Sequence, residues 1–161
     1  MIIFSTAQSN KKITLVFITR FLFIFVLLAF TLPASSEESE GKVALIAASG
    51  SGIEAMSLKD VRRLYLGLKS KESKSVRKPV LNTQSEELYD EFLKNIMRMT
   101  ASSYKRKQVK AIFRKGKEEI LEVTSLEELN KHLQENKGDV SFIELTSIES
   151  MENIEVVQIL W

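Results

Sequence analysis

The chain has 161 residues, with 23 Lys and Arg against 21 Asp and Glu, a single histidine and no cysteine. Lacking cysteine, it has no disulfide, no thiolate nucleophile and no cysteine-ligated metal, and one histidine rules out a multi-histidine metal site within one chain. Histidine-assisted catalysis has one base to draw on, His132, so the expected class is non-enzymatic, with no cofactor and no metal.

The first segment reads as an export signal. Lys11, Lys12 and Arg20 lead into the apolar run Phe21 to Leu32, and the small residues Pro33-Ala34-Ser35-Ser36 follow. Basic flank, short apolar centre and small residues before a polar stretch predict a signal peptide over 1–36, cut after Ala34 or Ser36, and a periplasmic or otherwise exported location. The run is shorter than the roughly 20 residues that span a bilayer. Left uncleaved, with Arg20 snorkelling, it would be an anchor and the chain's only membrane contact. Its removal takes away three basic residues and no acidic one, leaving 20 against 21. The mature chain of about 125 residues is then nearly neutral and one domain long.

Residues 37–41 form an acidic, polar lead expected to be mobile, and the domain is expected over 42–161. Lys42 to Ala48 is a branched apolar run suited to a strand covered on both faces. Ser49-Gly50-Ser51-Gly52 breaks it. Ser57, with Asp60 three residues on, predicts a helix start; Leu58, Val61 and Tyr65 share one face and Gly67 stops the helix. The Lys- and Ser-rich stretch 68–78 reads as a surface loop. Pro79-Val80-Leu81-Asn82 predicts a short strand. A long helix follows, with Leu88, Phe92, Ile96 and Met99 on one stripe, acidic residues at its start and Lys94 and Arg98 at its end, in the order that suits the helix dipole. A basic helix over 103–115 is expected to turn Val109, Ile112 and Phe113 inward, with Gly116 as its stop. Ile120 to Val123 predicts a strand. Ser125 and Glu128 form a capping box opening a helix with Leu126, Leu129 and Leu133, and Val140–Leu145 and Ile154–Leu160 are the last strands. Strands alternating with helices indicate a layered α/β domain.

Several of these blocks, in this order, resemble phosphate-type periplasmic solute-binding proteins. The blocks are Ser57 to Gly67, Pro79-Val80 ahead of a helix with Glu91-Phe92-Leu93, Val123-Thr124-Ser125, and Gly138 to Ile143. The likeness spans about Lys42 to Leu145. It implies an α/β layered sandwich of the type 2 periplasmic-binding kind, here reduced to about one lobe, because the expected mature chain is less than half the family's usual length. It also implies phosphate or another small oxyanion as ligand, and a membrane transporter or sensor protein as partner.

Two places have the chemistry for an oxyanion: the Ser49 to Gly52 loop, and Asn82 to Ser85 at the start of the long helix. Helix N-termini and glycine loops present unpaired N–H groups, and hydroxyls complete the cradle. The candidate ligand residues are therefore Ser49, Ser51, Thr83 and Ser85. The family pattern has an arginine four residues before the serine, then glycine and threonine. Placing Ser85 on that serine puts Leu81 at the arginine and Glu86 and Glu87 at the other two. Those carboxylates repel an anion and the bidentate donor is missing. The alternative expectation is an envelope interaction or regulatory module that keeps the fold and has lost anion binding.

The seven basic residues between Tyr104 and Lys117 invite comparison with surfaces for nucleic acid or anionic membranes. The expectation here is a solvated face over an inward stripe, with no nucleic-acid partner. His132 is expected on the surface.

Overall fold

The computed structural model describes residues 41–68 and 71–161, all within one unit, Ser39–Trp161. The expected signal peptide and all but the last residue of the expected lead lie outside the described residues.

Strand β1 (Val43–Ala48) is buried along its whole length. It runs antiparallel between β4 (Val140–Glu144) and β5 (Ile154–Ile159), with Val43 opposite Glu144 and Ala48 opposite Ile154. A bulge falls between Leu45 and Ile46. The continuous apolar run thus marks a central strand sandwiched on both faces, here in an antiparallel sheet. Val43, Leu45 and Ala47 enter one hydrophobic cluster, Ala44 and Ile46 the other.

A second, parallel pair is formed by β2 (Val80–Asn82) and β3 (Leu121–Val123). A parallel bridge between Pro79 and Val140 lays β2 along β4. Where the backbone ladder stops, side chains continue it: buried Asn82 donates from Nδ2 to the Phe142 carbonyl at 3.1 Å, and Ser141 Oγ donates to the Val80 carbonyl at 3.0 Å. The strands therefore lie side by side as β3, β2, β4, β1, β5.

Helix α1 (Leu58–Tyr65) starts where Ser57 Oγ accepts from the Asp60 N–H. It ends in a Schellman turn, with the Gly67 N–H on the Leu64 carbonyl, the Leu68 N–H on the Arg63 carbonyl and Gly67 at φ 65°. Its buried residues are Val61, Leu64 and Tyr65; Leu58, expected on that face, is exposed. Being the first helical residue, it leans outward beyond the packed turn. The loop after α1 is less superficial than its composition suggests: Ser73 and Val76 are buried.

The long helix expected over the next stretch has two parts. Helix α2 (Glu86–Phe92) passes into a π-helical turn (Leu93–Met97) that ends at Arg98 in the left-handed region, φ 53°. The wider turn brings Leu93, Ile96 and Met97 all into the core, whereas a continuous α-helix would have aligned Ile96 with Met99. Arg62 Nε donates to the Ile96 carbonyl in that turn.

Helix α3 (Ala101–Lys115) corrects the expected inward stripe. Phe113 is 84% exposed and Val109 44%, while Tyr104 is fully buried. Tyr104 donates its hydroxyl to the Tyr65 carbonyl at 2.8 Å. That buried bond fixes the helix's rotation with Tyr104 inward, and Phe113, half a turn away on the helical wheel, faces out.

Helix α4 (Leu126–Glu135) is capped by Ser125, and Glu128 in turn accepts from the Thr124 N–H. Leu129 and Leu133 are its buried face. A 3-10 turn (Leu145–Ser150) leads to β5. Helices α1 and α2 feed one core cluster, in which Phe92 stacks on Phe142 at 3.8 Å and Tyr65 meets Phe92 edge-on at 4.8 Å. Helix α4 feeds the cluster on the other side of β1. The domain is mixed α/β, with small sheets and helices.

Candidate functional site

The turn after β1 holds an anion, and the anion is the protein's own. Glu155, on β5, accepts from the Gly50 N–H at 3.1 Å and from Ser51 Oγ at 2.9 Å. Gly50 and Gly52 stand at φ 73° and 69°, the left-handed conformation that lets a short loop turn its donors to one side. The Gly50 N–H first, and the Ser51 hydroxyl next, hold the Glu155 carboxyl below its usual pKa. Ser51 Oγ also accepts from the Ile53 N–H at 3.3 Å, and the Ser49 N–H is spent on the Asn153 carbonyl at 2.8 Å.

The other two predicted ligands are bound into the scaffold as well. Thr83 Oγ1 donates to the Val123 carbonyl at 3.0 Å, extending the β2–β3 pairing by one residue. Ser85 Oγ accepts from the Leu88 N–H at 3.2 Å as the cap of α2, directly before Glu86 and Glu87. The strand directions keep the two places apart. Since β1 runs against β4 and β2 runs with it, the carboxyl end of β1 and the carboxyl end of β2 lie at opposite ends of the strands. Ser49 and Ser51 are at one end, Thr83 and Ser85 at the other; the structure does not gather the four into one cradle.

A charged cluster that the sequence did not reveal lies at the start of β4. Asp139 is 1% exposed, and Arg77 grips it with both arms of its guanidinium, Nε to Oδ1 at 2.8 Å and Nη2 to Oδ2 at 2.9 Å. The bond to Asp139 raises the Arg77 pKa further above its already high value. His132 Nε2 lies 2.9 Å from Asp139 Oδ2, and Asn136 Nδ2 lies 3.4 Å from His132 Nδ1. This pattern suits an imidazole tautomer that donates from Nε2 and accepts at Nδ1. His132 is thus tied into a network on α4 rather than lying free on the surface. Arg77 Nη2 also reaches Asn136 Oδ1 at 2.7 Å. The cluster borders a cleft of about 620 Å³, whose rim includes Lys78, Lys117 and Glu118. Lys78 and Glu118 pair across it, and Lys78 holds the Glu118 carboxyl below its usual pKa.

Nothing local in the sequence marks this cluster: His132 and Asp139 lie seven residues apart across a helix end, and Arg77 falls within a Lys- and Ser-rich stretch. Among the described residues no group of three or more His, Asp and Glu is placed to hold a metal ion. No helix of the described residues is long and apolar enough to cross a membrane. No protein-family model matches the chain, and no curated protein matches it.

Proposed function

We propose that this chain is an exported, non-enzymatic interaction or regulatory module of the cell envelope, built on a reduced type 2 periplasmic-binding fold whose anion loop is occupied from within. One observation carries the reading: the Glu155 carboxylate sits on the Gly50 and Ser51 donors that an external oxyanion would need. At the second candidate place two further carboxylates, Glu86 and Glu87, stand in the first turn of α2. The ordered sequence blocks support the fold assignment, and the internal carboxylate supports loss of free anion binding. His132 has both ring nitrogens partnered inside the protein, which favours a structural part over a proton-transfer role.

Calorimetric titration of the purified protein with phosphate and sulfate tests the proposal. The expected result is no heat at millimolar anion. In Glu155→Ala the loop donors are released, and weak anion binding there would show that the side chain, not the loop, blocks the site. Saturable phosphate binding by the unaltered protein would instead favour a solute carrier, with Ser49, Ser51, Thr83 and Ser85 as the ligands to mutate.

A further inference from the structure

We propose that the outer face of α3 is a docking surface for an anionic lipid membrane. Between Ala101 and Lys117 the chain has seven Lys and Arg and no Asp or Glu, although the chain as a whole is close to charge balance. Helix α3 and the two residues after it therefore carry positive charge with no carboxylate among them. Phe113 stands out into solvent at 84% exposure, and Val109, one turn before it, at 44%. On a helical wheel Arg106, Lys110 and Val109 lie within about a sixth of a turn of Phe113, flanked by Lys105 and Arg114. Tyr104 and Ala111 point the opposite way, and Tyr104 is anchored in the core. Among the described residues no ion pair engages Lys105, Arg106, Lys107, Lys110 or Arg114.

A cationic face with an apolar pair at its centre matches the anionic lipid interface in both respects. The basic side chains meet headgroup phosphates, and Phe113 and Val109 reach the boundary of the acyl chains. Nucleic acid would satisfy the charge and leave Val109 without a role, since stacking and base reading need aromatic or polar groups. The inference does not depend on how the Glu155 loop behaves: the anion titration and the membrane titration succeed or fail separately.

The absence of cysteine supplies the test. Val109→Cys in the full chain, labelled with a polarity-sensitive fluorophore, reports on α3 itself, whatever the amino-terminal apolar run does. Titration with vesicles of phosphatidylglycerol and phosphatidylcholine should shift the emission to the blue, and pure phosphatidylcholine should not. Adding Lys110→Glu and Arg114→Glu should weaken the partitioning by at least about thirtyfold. Phe113→Ser should reduce the blue shift while thermal unfolding stays the same, because the side chain supports no core contact. No shift on anionic vesicles, an equal shift on neutral ones, or a larger response to single- or double-stranded nucleic acid would overturn the proposal.

Discussion

Glu155 shows how one side chain can change what a loop is for. Glycines at positive φ and a serine hydroxyl make the turn after β1 a natural anion nest, and the nest is satisfied by a carboxylate one strand away. Because the folded state lowers the Glu155 pKa, the stabilisation is complete above the ordinary carboxylate range and is lost as pH falls through the lowered value. Glu155→Gln keeps an acceptor oxygen and removes the charge. The variant should therefore unfold at a lower temperature than the parent near about pH 7, and the difference should shrink as the pH falls below the ordinary carboxylate range and the parent carboxyl takes up its proton. Thermal unfolding followed by circular dichroism across this range checks it. A gap that stays constant with pH would mean that hydrogen-bond geometry, and not charge, holds the loop. The sequence marks this loop as a place for an oxyanion ligand; the carboxylate that sits there belongs to a residue more than 100 positions away in the chain, beyond any local pattern.

At the scale of elements, what was legible is what is local. The caps at Ser57 and Ser125 and the glycine stop at Gly67 all appear where the residue types placed them, because each is decided within four or five residues. Rotation and winding were not legible. Val109, Ile112 and Phe113 have the spacing of a core stripe, but the hydroxyl bond from Tyr104 to the Tyr65 carbonyl decides which side of α3 is inside. The π-helical turn after α2 likewise answers to tertiary packing of Leu93 and Met97, and it exits through Arg98 at φ 53°. A side chain in that conformation costs about 1–2 kcal/mol. Arg98→Gly removes this strain, and the freer unfolded chain returns roughly half of the gain. A net stabilisation of about 0.5–1 kcal/mol is expected from urea denaturation. Destabilisation would show that the Arg98 side chain itself holds the turn.

At the scale of the molecule, the strand directions are the part that the sequence left open. A run of strands and helices in alternation is compatible with several orders, and the antiparallel placement of β1 is what sends the two predicted anion loops to opposite ends. The Asp139 cluster follows from the same topology, because the return of the chain into β4 brings Asp139 beside the approach to β2. There Arg77 donates its N–H to the Gly138 carbonyl at 2.7 Å and its side chain to Asp139, while Lys78 accepts from the Val140 N–H at 3.0 Å. One buried carboxylate thus joins the loop after α1, the end of α4 and the start of β4. Asp139→Ala takes the shared acceptor from two donors at once. Both donors lie partly in solvent and regain water, so the expected loss is about 1–3 kcal/mol rather than the larger cost of stranding a buried charge. His132→Ala removes one donor and leaves the two-armed Arg77 bond in place, and should cost less, within about 1 kcal/mol. Equilibrium denaturation of the two variants ranks them. If Asp139→Ala were no more damaging than His132→Ala, the joint between α4 and β4 would rest on Leu129, Leu133 and Ile143, which share one core cluster, and the ion pair would be an accessory to a fold already closed by its core.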